Sequence, residues 1–82
     1  MEYQDFDEKK LNTFYEKIGK NVQRIRSEKN ITQLELAFLL GHNSAGHVAK
    51  AELNKYNKHF NLEHLLRISE ALDVDINEFF VD

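Results

Sequence analysis

Cysteine, proline and tryptophan are all missing from this 82-residue chain, and glycine occurs only three times. Without cysteine there is neither a disulfide framework nor a thiolate metal site, a composition at home in a reducing compartment. Without proline, and with so little glycine, little interrupts helices except short turns. No apolar run approaches the roughly 20 residues that a membrane-crossing helix needs. The opening residues Met1-Glu2-Tyr3-Gln4-Asp5 are acidic and hold no apolar stretch, so they do not form a secretory leader, and a cytoplasmic location is expected. Eighty-two residues suffice for one domain with a modest core.

The formal net charge is −3, the wrong sign for a chain that neutralises phosphates. The charges are unevenly placed, however. Both ends are acidic, whereas residues 20–59 hold Lys20, Arg24, Arg26, Lys29, Lys50, Lys55 and Lys58 against only Glu28, Glu35 and Glu52. An acidic molecule with a basic middle can still present one face to a polyanion.

Helical periodicity dominates. Leu11, Phe14, Tyr15, Ile18, Val22 and Ile25 recur at steps of three and four, with Asp7 placed to cap the start and Asn30 to end the run. Gly19 falls inside this stretch and weakens the case for one unbroken helix. Thr32-Gln33-Leu34-Glu35 has capping-box spacing, with Ile31 positioned to staple onto the first turn, and Gly41 closes a helix ending at Leu40. Asn43 and Ser44 offer a cap for a short helix over about 45–53, and the stretch from Asn54 to Phe60 has no periodicity. Asn61 caps a fourth helix with a broad apolar face from Leu62 to Leu72, Asp73-Val74 makes a turn, and Asp75 with Glu78 forms a second capping box opening a fifth helix through Phe80. The expectation is an all-α domain of five helices.

Two short helices joined by a tight glycine turn form a helix-turn-helix. Residues 18–80 resemble the phage-repressor, Cro and XRE class of such domains. The resemblance rests on Ile18-Gly19-Lys20-Asn21-Val22-Gln23-Arg24-Ile25-Arg26, on Thr32-Gln33-x-Glu35-Leu36-Ala37-x-x-Leu40-Gly41, on Val48, Lys50 and Glu52, and on Leu62 to Leu72 with Glu78-Phe79-Phe80. It implies a compact, lambda-repressor-like DNA-binding domain over 18–82, its helix-turn-helix at about 32–53. Residues 1–17 extend its first helix. The function it implies is a DNA-binding transcriptional regulator, a repressor acting as a homodimer on a palindromic operator and not an enzyme. Chains of this pattern also serve as antitoxins or as controllers of restriction-modification systems, with a protein partner. A protein-interaction module that has lost DNA reading is the remaining alternative.

By the same resemblance, Thr32 and Gln33 open the bracing helix, Gln33 contacting phosphate, and Ala45, Gly46, His47, Ala49 and Lys50 lie on the exposed face of the recognition helix. Arg26 and Glu52 match a pair that bridges the first and third helices structurally. The turn is one residue longer than the common form, and Ala45 and Gly46 stand where relatives carry polar base readers. Base reading then falls to His47 and Lys50, phosphate contact to Asn43 and Ser44, and a grip on the DNA backbone to Asn54, Lys55 and Lys58.

No metal site is expected. His42, His47, His59 and His64 show no spacing of four on one helix, and no cysteine assists them. No cofactor is implied either, and Ser27, Ser44 and Ser69 lie in no catalytic motif. Leu34 and Phe38 occupy positions where relatives place charged residues, so an apolar cover is expected from Tyr3, Phe6, Leu11 or Phe14, the alternative being that the pair is simply tolerated as exposed apolar side chains. Phe79 and Phe80 either close the core or contribute to a dimer interface.

Overall fold

The structure, a computed structural model, describes residues 5–82. Tyr3, one of the side chains expected to cover Leu34 and Phe38, lies outside these residues. Four α-helices and a terminal 3-10 turn follow in order: α1 (Glu8–Glu28), α2 (Gln33–Leu39), α3 (Gly46–Glu52), α4 (Leu62–Leu72) and the turn Ile76–Phe80.

α1 runs unbroken for 21 residues. The Asp7 carboxylate accepts the Lys9 and Lys10 backbone N–H groups, satisfying donors that have no partner inside the helix. Gly19 does not break the helix, because its role is packing. A Cβ at this position would stand 2.5 Å from the Glu52 carbonyl oxygen and 2.7 Å from that of Ala51, so only glycine lets α1 lie directly against the end of α3.

The Thr32 capping box forms in both directions: Glu35 N–H donates to the Thr32 hydroxyl, and Thr32 N–H donates to the Glu35 carboxylate, each at 3.0 Å. Gly41, at φ +83°, ends α2 in the left-handed region. α4 is capped by Asn61, whose side chain accepts the His64 N–H, and it ends at left-handed Asp73. Ile18, Val22 and Ile25 of α1 meet Leu36 and Ala37 of α2, Val48 and Ala51 of α3, Leu65 and Ile68 of α4, and Phe79 in one core.

Three sequence expectations need correction. The fifth helix is a 3-10 turn of five residues. Asp75 accepts the Asn77 N–H, but Glu78 does not complete a box and instead faces Arg24 at 3.9 Å. Asn21, buried at the middle of α1, donates to the carbonyls of Phe79 and Val81 at 2.9 and 2.7 Å, and these bonds hold the chain end against α1. Secondly, neither Asn43 nor Ser44 caps α3. Its N-cap is Ala45, with no side-chain hydrogen bond, and the helix starts at Gly46. Thirdly, Phe14 stacks on Phe80 at 6.0 Å at the far end of the molecule, so it does not shield α2. Phe6 is itself exposed, and Leu34 and Phe38 stand 44% and 58% exposed.

Candidate nucleic-acid interface

The second member of the helix pair is held from behind. Glu52, at the end of α3, is 2% exposed, and an unpaired carboxylate there would be costly. Arg26 of α1 meets it with a two-toothed grip, Nε to Oε2 at 2.7 Å and Nη2 to Oε1 at 3.2 Å. Gln33 Nε2, from the first turn of α2, donates to the same Oε1 at 3.0 Å, and Arg26 Nη1 donates to the Ile31 carbonyl. One buried carboxylate thereby ties α1, the α1–α2 turn and α2 to α3. Gln33, expected at the phosphate backbone, has its amide turned to this brace.

With Val48, Ala51 and Glu52 buried, helical geometry turns Gly46, Ala49, Lys50 and Leu53 to the opposite side. Gly46, Lys50 and Leu53 are exposed, and Ala45 and Ala49 are half-buried at the margin. Asn43 and Ser44 are exposed just before the leading end of α3, and Thr32 is exposed at the start of α2. Lys55 and Lys58 are exposed on the following loop, and among the described residues no carboxylate pairs with Lys50, Lys55 or Lys58. Arg24 and Lys17, by contrast, face carboxylates. Asn54 is half-buried and reaches back to the Asn12 carbonyl at 3.5 Å.

The loop after α3 adds a residue that sequence reasoning passed over. Asn54, Tyr56 and Asn57 all adopt left-handed φ values between 52° and 58°, a conformation uncommon outside glycine and rare for a bulky side chain. The result projects Tyr56, 79% exposed, beside α3, with the Lys50 ammonium 5.8 Å from its ring centre. The loop is secured behind by Phe60 in the core and by His59 stacked on Tyr15 at 3.7 Å. Aromatic residues in aperiodic loops give no spacing signal, which is why Tyr56 escaped notice.

His47 departs from expectation. It is half-buried on the flank of α3, with its ring 4.8 Å from that of His42 and 5.3 Å from that of His64. Its Nε2 is buried without a hydrogen-bond partner among the described residues, as is that of His42. Burial, then repulsion from His42, holds the His47 pKa below the usual histidine value, and burial followed by His47 and His42 does the same to His64. Spacing along one helix does not reveal ligands that converge from different segments. The fold instead gathers three histidines from the α2–α3 turn, α3 and α4.

No described helix is long and apolar enough to cross a membrane. Neither the curated proteins nor the solved structures compared with this chain gave a match. A family model described as helix-turn-helix matches residues 22–79, from the middle of α1 through the terminal 3-10 turn. That span contains the brace, the helix pair and the loop after it. The chain therefore belongs to the helix-turn-helix family of the XRE, Cro and CI type, a DNA-binding class normally without catalytic activity.

Proposed function

We propose that this protein is a sequence-preferring transcriptional regulator that lays α3 in the major groove of duplex DNA. The observation that carries this reading is the braced helix with an exposed outer face, flanked by three lysines that have no acidic partner among the described residues. Lys50 is the base reader, suited to the acceptor pair of guanine, while Ala45, Ala49 and Leu53 offer apolar contacts to thymine methyls. Gly46 allows close approach. Thr32, Asn43 and Ser44 lie where phosphate oxygens pass, and Lys55, Lys58 and Tyr56 extend the contact along the backbone. Gln33 and Asn54 serve chiefly to hold α3 and its loop in place. With a single long polar side chain on the reading face, intrinsic specificity is modest.

Two-fold pairing would place two recognition helices about 34 Å apart, one helical turn of a palindromic operator. Phe79 is fully buried and closes the core, so any dimer surface at this end rests on Phe80 and Val81. The exposed Leu34–Phe38 pair on α2 supports a second reading, in which the domain also holds a protein partner, as antitoxins and restriction-modification controllers do. If each protomer meets roughly three or four phosphates, log affinity falls with log salt at about −0.9 per contact. Gel shifts over a salt series, followed by selection of bound duplexes from a random pool, test the reading. A symmetric enriched site supports it. Failure to bind any duplex at low salt overturns it.

A further inference from the structure

We propose that His42, His47 and His64 form a binding site for one divalent transition-metal ion, of which Zn²⁺ fits best, at the junction of the α2–α3 turn, the leading end of α3 and the first turn of α4. One nitrogen from each ring lies within 4.8 Å of the other two. Nε2 of His42 and Nε2 of His47 are buried with no hydrogen-bond partner among the described residues, an uncommon state for polar atoms that have been removed from water. Three imidazoles packed together gain some ring contact, with His42–His64 centroids at 5.8 Å and His47 edge-on to Phe60 at 6.5 Å. Ring packing does not occupy their lone pairs. A metal ion does.

The donor set points to the class of ion. Three neutral nitrogen ligands without a carboxylate or thiolate suit Zn²⁺, Co²⁺, Ni²⁺ or Cu²⁺ and not Mg²⁺ or Ca²⁺, which require oxygen. Zn–N distances of about 2.0–2.1 Å put tetrahedral nitrogens roughly 3.3 Å apart. The rings hang on three separate segments, so side-chain rotation can supply the closure from 4.8 Å. Three protein ligands leave one position open to water or an exchangeable group.

Loading has a local consequence at α4. His64 Nδ1 accepts the Asn61 backbone N–H at 3.1 Å, so in the neutral ring the proton sits on Nε2. Coordination through Nε2 moves that proton to Nδ1 and ends the bond from Asn61, while the Asn61 side chain keeps its bond to the His64 N–H. The ion would cross-link the recognition helix to α4 and hold His47 away from the groove. This coupling to DNA reading rests on the function proposed above, whereas the site itself does not.

The test is titration of the full chain with Zn²⁺, without DNA, against a chromogenic chelator, with Co²⁺ as a spectroscopic stand-in. One ion per chain, tetrahedral Co²⁺ bands and a melting temperature raised by about 15 °C at 100-fold excess over Kd are expected. His42→Ala and His47→Ala should each weaken uptake roughly 100-fold or more, and His59→Ala, outside the cluster, should leave it unchanged. His42 lies in the α2–α3 turn, outside any helix and only half-buried, so its variant keeps the test informative even where a helix variant fails to fold. Undiminished uptake by the folded His42→Ala variant, or no uptake at micromolar Zn²⁺, overturns the site. Zn²⁺ uptake without duplex binding would leave the site standing and remove the DNA reading instead.

Discussion

The charge at Glu52 is almost wholly enclosed, its side chain 1% exposed, whereas that of its partner Arg26 is 12% exposed and has a second acceptor in the Ile31 carbonyl. Stranding the carboxylate is therefore the graver defect. Arg26→Ala should cost about 3–5 kcal/mol in chemical denaturation, and Glu52→Ala clearly less; the reverse order would mean that the brace is misassigned. Gly19 gives a second test at this scale. On an isolated helix, alanine would be favoured by up to about 1 kcal/mol. Here its Cβ meets two backbone carbonyls that cannot rotate away, so Gly19→Ala should destabilise by about 1–3 kcal/mol. A stabilised variant would show that α1 and α3 are not in this close contact.

At the scale of the element, α2 is only seven residues long and depends on its ends. The Thr32 backbone N–H, then its hydroxyl, holds the Glu35 carboxyl below its ordinary pKa. A carboxylate with a lowered folded pKa contributes stability that is complete above its unfolded value and lost as pH falls through the folded one. Acid titration of the fold should show this loss in the native chain, and Glu35→Gln should remove that component; identical acid profiles would mean that the box contributes nothing. α3 differs in kind. It has no side-chain cap and holds its place through Glu52 and its buried face, so perturbations of α1 should reach DNA binding without touching any contacting residue.

For the whole molecule, charge is sorted by pairing: Glu78 near the chain end faces Arg24 of α1 at 3.9 Å. Asp82 likewise faces Lys17 at 3.2 Å, and among the described residues the lysines around α3 stay unpaired. Lys50→Ala should flatten discrimination between specific and random duplexes, whereas Lys55→Ala should weaken both about equally and shallow the salt slope by about one contact. Gel shifts on both duplexes separate the two effects, and matched losses for both variants would remove Lys50 from base reading. Sedimentation at micromolar concentration, with Phe38→Asp alongside, tests the α2 patch. An unchanged association state would exclude Leu34 and Phe38 from self-association.

Much of the fold was legible because its signals are local. The stripe from Leu11 to Ile25, the Thr32–Glu35 box, Gly41 after Leu40 and Asn61 before α4 each act within one helical turn, so spacing alone reveals them. The Arg26–Glu52 pair and the outer face of α3 were legible only through resemblance, since no local rule links residues on separate helices. Tertiary packing alone decided the remainder. It used Gly19 as a contact surface, turned the chain end into a 3-10 segment fastened by Asn21, sent Phe14 to Phe80, and brought three histidines from separate segments together. Those outcomes depend on distances across the core, and no periodicity along the chain encodes such distances.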